Sequence, residues 1–317
     1  MAGEAVERLH SALAGVLGGA HIDGLRRLSG GASRETWTFT ANDEPLVLQR
    51  VRSGTPGGLR CEPAVLAAAA AHGVPVPELV VDGSHSDALE RPFMIVRHVP
   101  GETIARKVLR DEQFSRARAN FTSQVGMAAA RLHAIPLAEV PGLVDEDQIA
   151  RYRGILDDLG EPHPVFEVAL RWLEAGRPTG RPTCVVHGDF RLGNMMVDEG
   201  GLGAVLDWEL AHAGDPMEDL GWLCVRAWRF GGALPVAGLG TVDELLDAYA
   251  SVAGVRPDAG VVRWWEIMGT LKWGVMCMVQ ARAHLSGAAR SHELAAIGRR
   301  VCENEYDLLE LLEGELR

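Results

Sequence analysis

A hairpin signal in the middle of the chain strongly limits the structures that this sequence can adopt. Residues 195–208 read MMVDEGGLGAVLDW, with Gly200 and Gly201 between two apolar runs. Glycine pairs favour two-residue hairpin loops, because both positions adopt positive φ without steric cost. A loop at these two residues would set Asn194 directly opposite Asp207 on one face of the ribbon. The sequence therefore predicts a tight β-hairpin that holds an amide and a carboxylate close together.

The polar residues around this hairpin indicate a metal site with a base beside it. An amide oxygen and a carboxylate suit Mg²⁺, which takes oxygen ligands and keeps other positions for phosphates and water. Asp189 lies five residues before Asn194, and a loop there can bring its carboxylate beside the metal without binding it. Such a carboxylate can accept the proton of an incoming hydroxyl group. Taken alone, each of these residues is better explained by a structural role, either capping the hairpin or forming a turn. Their combination around one hairpin is what favours a catalytic site.

Composition narrows the classes of protein to which the chain can belong. Its 317 residues, 47% of them hydrophobic, are enough for one large domain or two lobes. A net charge of -12 makes it a poor non-specific binder of nucleic acid or of anionic membranes. Five scattered cysteines without CxxC spacing are typical of reduced thiols, and no apolar run is long enough to span a membrane. We therefore expect a cytoplasmic protein that binds neither nucleic acid nor membrane, of unknown oligomeric state.

The character of the chain changes near residue 100. A leading helix is predicted over residues 5–18, and the strands that follow are interrupted by one alanine-rich helix over 59–73. Long helices dominate the rest of the sequence; they are predicted over 112–134, 145–175, 215–230, 241–254, 259–286 and 291–313. These patterns predict a small strand-rich lobe, residues 1–100, and a larger helical lobe, residues 101–317.

The segment HGDFRLGN, residues 187–194, resembles the protein-kinase catalytic loop H-R-D-x-x-x-x-N, which precedes a metal-binding Asp. With HGD in place of HRD, and with the later segments DWE and GDPMEDLGW, the chain resembles the aminoglycoside phosphotransferase family of small-molecule kinases. Within that family it most resembles the phosphotransferase domain also found fused to some acyl-CoA dehydrogenases. The resemblance extends from about Leu28 to the C-terminal helices. It implies an α+β, protein-kinase-like two-lobe fold, with a small antiparallel-sheet N-terminal lobe containing one helix and a larger, mainly helical C-terminal lobe.

The resemblance also implies a role for individual residues. Asp189 would be the catalytic base, and Asn194 and Asp207 would hold Mg²⁺, which together with ATP is the expected cofactor. The glycine turn in LSGGASRETWTF would cover the ATP phosphates, and the main chain of FMIVRHVPGE would contact the adenine. The residues implied are Gly30, Gly31 and Ser33 in the turn, and the Arg97 carbonyl and Val99 N–H in the second segment.

The strand PLVLQRV lies where the family has a lysine that pairs with the ATP phosphates, but it contains no lysine. Gln49 and Arg50 are the candidates, and strand alternation allows only one of them to face the cleft. Arg50 is the predicted ATP anchor, because phosphate oxygens call for a positive charge and match a guanidinium group. Glu62, on the alanine-rich helix, would be its partner. If Gln49 faced the cleft instead, ATP would be bound more weakly or in a different way.

Other polar residues near the predicted site are expected to have structural roles. Asp215 and Asp219 would hold the catalytic loop and the helical lobe by hydrogen bonds, and His187 would support the loop. His133, on an apolar helix face, is expected to be a buried core histidine. Glu209 could line the acceptor site, bind water near the metal or cap a helix.

The predicted function is transfer of the γ-phosphoryl group of ATP to a hydroxyl group of a small molecule, either aminoglycoside-like or a metabolite. One alternative is a nucleotide-binding protein of the same fold without transfer activity, which the missing strand lysine suggests. The other is a metal-dependent hydrolase that uses His187, Asp189 and Asp207. The sequence lacks the further His/Asp cluster that such a hydrolase needs.

Overall fold

Five antiparallel strands form the N-terminal sheet in a computed structural model that describes residues 2–28, 34–52, 59, 61–180 and 182–316. The strand order across the sheet is β1-β2-β3-β5-β4. These strands are β1 (Ile22–Arg27), β2 (Arg34–Ala41), β3 (Glu44–Val51), β4 (Leu79–Gly83) and β5 (Phe93–Arg97). The consecutive apolar residues of β3 and β5, whose side chains point to opposite faces in turn, let the sheet bury both of its faces.

Each face of this sheet is covered by a different helix. Helix α1 (Ala2–Val16), which matches the predicted leading helix, packs Leu9 and Leu13 on the face that carries Leu48. Helix α2 (Glu62–Ala71) lies on the opposite side, where Val47 packs against the large core that continues into the helical part of the chain. Adjacent residues of β3 therefore point to different environments, one beneath α1 and one toward the helical lobe.

The C-terminal part consists mainly of helices, which are α3 (Ala105–Arg110), α4 (Ser115–His133), α5 (Gln148–Leu159), α6 (Pro164–Ala175), α7 (Met217–Cys224), α8 (Val242–Ala253), α9 (Ala259–Leu285), α10 (His292–Gly298) and α11 (Val301–Leu316). The single helix predicted over 145–175 is wrong, because it is divided into α5 and α6. Gly160 ends α5 in the left-handed conformation with φ 68°, and Pro164 begins α6. None of the described helices combines the length and apolar character needed to cross a bilayer.

The long helix α9 is the centre of the helical lobe. It packs against α5, α6, α7, α10 and α11, and its three tryptophans are buried. It crosses α7 closely at Gly221, where an added Cβ would lie 2.4 Å from Trp265 Cβ. This close crossing holds α7, which carries Asp219 and Trp222, in a fixed position beside the catalytic loop.

The connector between the sheet and the helices is fixed to a hairpin of the helical lobe. The hairpin consists of β7 (Met195–Asp198) and β8 (Gly201–Val205). The Glu102 N–H donates to the Val197 carbonyl at 2.8 Å, and the Val197 N–H donates back at 3.0 Å. Gly101 has φ 142°, and a Cβ there would lie 2.8 Å from the Val197 carbonyl oxygen. Glycine therefore lets the connector approach the hairpin.

Candidate active site

The β7–β8 hairpin forms as predicted, but its register differs. Met195 pairs with Val205 and Asp198 with Gly201, with a one-residue shift between the two pairs. The Asp198 carboxylate accepts the Gly200 N–H at 2.6 Å and the Gly201 N–H at 3.0 Å. This side-chain turn begins the loop earlier than the glycine pair alone predicts, and β8 accommodates the difference with a bulge.

The predicted pairing of Asn194 with Asp207 across the ladder is therefore wrong. The Asn194 carbonyl instead accepts the Leu206 N–H at 2.8 Å. Asp207 lies beyond the end of β8 and has φ 64°, in the left-handed region. The chain thus turns sharply at Asp207, and the charges of Glu209 and Asp189 act on its carboxyl group.

Asp189 is held by three side-chain donors. Trp222 Nε1 donates to Asp189 Oδ1 at 2.8 Å, and Arg191 Nε donates to the same oxygen at 2.9 Å. Asn194 Nδ2 donates to Asp189 Oδ2 at 2.5 Å and to the Asp189 carbonyl at 3.0 Å. The structure therefore brings together two of the predicted site residues. Because the Asn194 nitrogen faces Asp189, its oxygen is the amide atom left to bind a cation.

His187 has the supporting role that the sequence predicted. Its Nδ1 accepts the Asp189 N–H at 3.1 Å, so the proton lies on Nε2, which donates to the Leu206 carbonyl at 2.9 Å. Burial lowers the pKa of His187. A neutral imidazole therefore ties the catalytic loop to the segment that leads into Asp207, and both of its nitrogens are occupied.

Asp219 anchors the start of the catalytic loop, also as predicted. Its two carboxylate oxygens accept the backbone N–H groups of His187 at 2.9 Å and Gly188 at 3.0 Å. His133, whose side chain is only 3% exposed, contacts Asp219 at 3.1 Å and the Tyr249 hydroxyl at 3.1 Å. Burial would raise the pKa of Asp219, but the hydrogen bond and charge of His133 outweigh it and hold the pKa below its usual value.

The middle residue of HGD, Gly188, is a glycine for a steric reason. Gly188 has φ 78°, and a Cβ at this position would lie 2.5 Å from the Leu210 carbonyl oxygen. A side chain therefore cannot replace it without a shift of the main chain. The strands that flank this region, β6 (Cys184–Val186) and β9 (His212–Gly214), pair antiparallel and bring residue 210 against the loop.

A second group of charges lies between the sheet and the hairpin. Arg34, the first residue of β2, forms an ion pair through Nη2 with Glu62 Oε1 at the start of α2. Arg34 Nε lies 3.6 Å from Glu209 Oε2. The pKa of Glu62 is raised to about 7. Burial is the main cause, the charges of Glu209 and Asp207 contribute to the rise, and Arg34 opposes it. One arginine therefore faces several carboxylates.

Arg50 does not take part in this group. Its guanidinium donates to Glu35 Oε2 at 2.8 Å and to the Leu89 carbonyl at 3.3 Å, on the α1 face of the sheet. The register of β2 with β3 sets Arg50 opposite Glu35 and Gln49 opposite Thr36. The predicted pairing of Glu62 with Arg50 is therefore wrong, and β3 presents Gln49 on the side of α2.

A divalent cation fits the charges at the end of β8. Asp207 is exposed, yet desolvation by the surrounding protein, together with the charges of Glu209 and Asp189, raises its pKa to about 6. Carboxylates that raise one another's pKa are relieved by a bound cation. With the free Asn194 oxygen, the donor set is two oxygen ligands, as Mg²⁺ accepts when phosphates and water supply the rest.

Comparison with known proteins settles the family. The profile described as "APH: Phosphotransferase enzyme family" matches residues 24–264, which is more than half of the chain.

The chain belongs to the phosphotransferase enzyme family.

The phosphotransferase has relatives of different architecture. It is 28% identical over 319 residues to acyl-CoA dehydrogenase family member 10 from Mus musculus, an alignment that covers 90% of this chain but only 29% of that protein. The chain therefore spans less than a third of the length of this curated relative. The match places the chain among the phosphotransferase enzymes.

Solved structures confirm the predicted two-lobe, kinase-like fold of the phosphotransferase. A Ralstonia eutropha protein assigned to the aminoglycoside phosphotransferases superimposes with a TM-score of 0.76 at 23% identity, covering 98% of both chains. A thermostable variant of the aminoglycoside phosphotransferase APH(4)-Ia, in ternary complex with AMP-PNP and hygromycin B, gives a TM-score of 0.62 at 17% identity, covering 94% of this chain and 97% of that one.

The nucleotide-contacting residues predicted for this phosphotransferase differ in how far the structure describes them. Gly30, Gly31 and Ser33 lie outside the described residues. Arg97 ends β5, and its side chain pairs with Glu44 at 3.0 Å and Glu78 at 2.9 Å, away from the core. The Val99 N–H, by contrast, donates no hydrogen bond to any described residue. The proposed adenine contacts of the Arg97 carbonyl and the Val99 N–H stay predictions.

Two cations near the catalytic loop of the phosphotransferase were not predicted. The buried Lys272 on α9 donates from Nζ to the Gly188 carbonyl at 2.8 Å and to Glu218 Oε1 at 3.2 Å. A lysine within the apolar segment GTLKWGVM was a signal that could have identified it. Arg191 contacts Asp189 directly and stacks over the Trp228 ring at 4.6 Å. Its position two residues after Asp189 was a second signal.

Proposed function

We propose that the chain transfers the γ-phosphoryl group of ATP, in the presence of Mg²⁺, to a hydroxyl group of a small molecule. The observation that carries this proposal is the contact between Asp189 and Asn194. One residue of the pair is a carboxylate held at the cleft, and the other keeps an amide oxygen free beside it. The proposed nucleotide-binding lobe is residues 1–100, and the proposed acceptor-binding lobe is residues 101–317.

Asp189 is the proposed base. Trp222 and Arg191 both donate to Oδ1, while Asn194 donates to Oδ2, so the carboxylate is fixed before any substrate arrives. An acceptor hydroxyl within hydrogen-bonding distance of this carboxylate would be oriented by it and would release its proton to it as the phosphoryl group is transferred. Catalysis then depends on positioning and on charge, with no covalent intermediate on the protein.

Asn194 and Asp207 are the proposed metal ligands. Bound there, Mg²⁺ would neutralise the charge that develops on the phosphates. The chain itself prepares the site, because Asp189 orients the Asn194 amide and His187 fixes the backbone that leads to Asp207. The complex of APH(4)-Ia with AMP-PNP and hygromycin B supports the use of a nucleotide and of a hydroxylated acceptor by this fold.

We infer a cytoplasmic location for this activity. None of the five cysteines, all of them described, forms a disulfide bond; Cys61, Cys184, Cys224 and Cys277 are buried, and Cys302 is exposed. Reduced cysteines that form no disulfide framework are typical of proteins from reducing compartments.

A phosphorylation screen tests the proposed function. Purified protein would be incubated with γ-labelled ATP, Mg²⁺ and a panel of sugars, amino alcohols, hydroxyacyl compounds and aminoglycosides. We expect label to pass to at least one hydroxylated compound, and no transfer when Mg²⁺ is removed by chelation. Binding of ATP without transfer to any acceptor would favour the nucleotide-binding alternative. Hydrolysis of a phosphate ester that needs no nucleotide would favour the hydrolase.

Replacing Asp207 by alanine is expected to remove the Mg²⁺-dependent part of nucleotide binding. The loss of a direct ligand should weaken binding of the Mg²⁺ complex of AMP-PNP by at least about tenfold. Isothermal titration with and without Mg²⁺ measures the effect. Asp243→Ala, at an exposed position on α8, is the matched control and should behave as the wild type. An Asp207→Ala variant with an unchanged Mg²⁺ dependence would contradict the assignment.

A further inference from the structure

Strand β3 does not present a positively charged residue on the side of α2, where the family resemblance implies a lysine that pairs with the ATP phosphates. On β3, Leu48 packs beneath α1, whereas Val47 belongs to the core on the opposite face. Gln49 shares the face of Val47, and Arg50 shares the face of Leu48. Arg50 Nη2 moreover forms an ion pair with Glu35 Oε2 at 2.8 Å. Strand β3 therefore offers an uncharged amide on the side where phosphates would be bound.

Arg34 provides a positive charge from the neighbouring strand. It is the first residue of β2 and only 8% exposed, and it forms the ion pair with Glu62. It follows directly after the predicted phosphate-covering turn of residues 30–33. Both the cation and its helix glutamate thus lie beside Glu209, two residues after the proposed metal ligand Asp207, although the cation comes from a different strand.

Among the described residues, two of the three Arg34 guanidinium nitrogens have no hydrogen-bond acceptor. Nε and Nη1 are buried and donate no hydrogen bond to a described residue, since Glu209 Oε2 lies 3.6 Å from Nε, while Nη2 is occupied by Glu62. A buried guanidinium N–H without an acceptor is costly, so such a group points to an acceptor supplied by a ligand. Phosphate oxygens fit best, because they are anionic acceptors that take charge-assisted hydrogen bonds from separate N–H groups of a guanidinium.

We propose that Arg34, held by Glu62, is the residue that anchors the ATP phosphates, in place of a cation on β3. This inference rests on the proposed function and names the residue that binds its nucleotide. Glu62 orients Arg34 as a positioning residue and does not touch the phosphates.

Four variants test the proposal by isothermal titration with Mg²⁺ and AMP-PNP, and with adenosine as a ligand that has no phosphates. Arg34→Gln should weaken AMP-PNP roughly 10- to 100-fold while leaving adenosine affinity unchanged. Arg50→Gln, the matched control on β3, should stay within about twofold of the wild type. Adding Gln49→Lys to Arg34→Gln should restore most of the lost affinity. The AMP-PNP affinity of Arg34→Lys should lie between those of the wild type and Arg34→Gln, because lysine keeps the positive charge but loses the separate N–H donors of the guanidinium.

The results separate failure of this inference from failure of the proposed function. A wild-type protein that binds no AMP-PNP overturns the proposed function itself. A wild-type protein that binds AMP-PNP, with Arg34→Gln unaffected or Arg50→Gln equally weakened, overturns only the role of Arg34. Equal losses for AMP-PNP and adenosine in folded Arg34→Gln would assign Arg34 a structural role. If Arg34→Gln does not fold, Arg34→Lys is the variant that tests the proposal. An unchanged AMP-PNP affinity in Arg34→Lys would overturn the proposed hydrogen bonds from the guanidinium to the phosphates.

Discussion

Replacing Asp189 by asparagine is expected to lower kcat by about 10²- to 10⁴-fold, the range that a positioned general base contributes. Nucleotide affinity should stay close to that of the wild type, because Asp189 faces the acceptor and Arg34 is the proposed anchor of ATP. The asparagine oxygen can accept from Trp222 and Arg191. Asn194 Nδ2 loses its side-chain acceptor but can still donate to the carbonyl of residue 189, so the loop should keep its conformation. Steady-state kinetics with the acceptor found in the screen, and titration with AMP-PNP, measure the two quantities.

Asp198→Asn is the matched control for this experiment. Asp198 lies on the β7–β8 hairpin that follows the catalytic loop, and it accepts only backbone N–H groups of the turn, which an asparagine oxygen can also do. It should retain nearly full turnover. If Asp189→Asn turned over as fast as this control, Asp189 would not be the base. If it lost nucleotide affinity in proportion to kcat, its role would lie in ground-state binding.

Replacing Asp219 by alanine is expected to lower the free energy of unfolding by about 3–5 kcal/mol, the cost of removing a buried carboxylate and leaving its several hydrogen-bond donors without an acceptor. The change would leave the backbone N–H groups of His187 and Gly188 without an acceptor and would remove the carboxylate that contacts His133. Such a loss is a large part of the stability of an ordinary protein. Urea denaturation, compared at constant m value, measures it.

The control and the pH dependence make this prediction specific. Asp247→Ala, at an exposed ion pair on α8, should change stability by less than about 1 kcal/mol. Because folding lowers the pKa of Asp219, its stabilisation is complete above its unfolded-state pKa and is lost as the pH falls toward the folded-state pKa. The wild type should therefore lose this contribution in acid, and Asp219→Ala should show a shallower loss. A destabilisation no larger than that of Asp247→Ala would contradict the anchoring role.

Local sequence patterns were sufficient to predict most of the elements. The helix predicted over 259–286 is α9 (Ala259–Leu285), and the leading helix predicted over 5–18 is α1 (Ala2–Val16). Apolar periodicity and glycine or polar caps are properties of neighbouring residues, so they can be read without knowing the fold. The helix predicted over 145–175 failed where periodicity continued across a break in the backbone, at Gly160.

The parts of the site that were not predicted depend on contacts between distant residues. Alternation along β3 allowed either Gln49 or Arg50 to face the cleft, and only the packing of α1 on one face of the sheet decides between them. Arg34 and Glu62 are 28 residues apart, and their pairing follows from the position of α2 against the sheet. The hairpin register failed for a local reason, since the Asp198 side chain competes for the backbone of the turn.

The double use of Asn194 limits which residue can occupy this position. Its nitrogen donates to the Asp189 carboxylate while its oxygen remains available on the other side. An aspartate would offer a stronger ligand but would set two anions against each other, and a leucine would offer neither atom. Only a planar group that is a donor at one end and an acceptor at the other meets both demands. Cation occupancy and alignment of the proton acceptor should therefore respond together to any change at this one side chain.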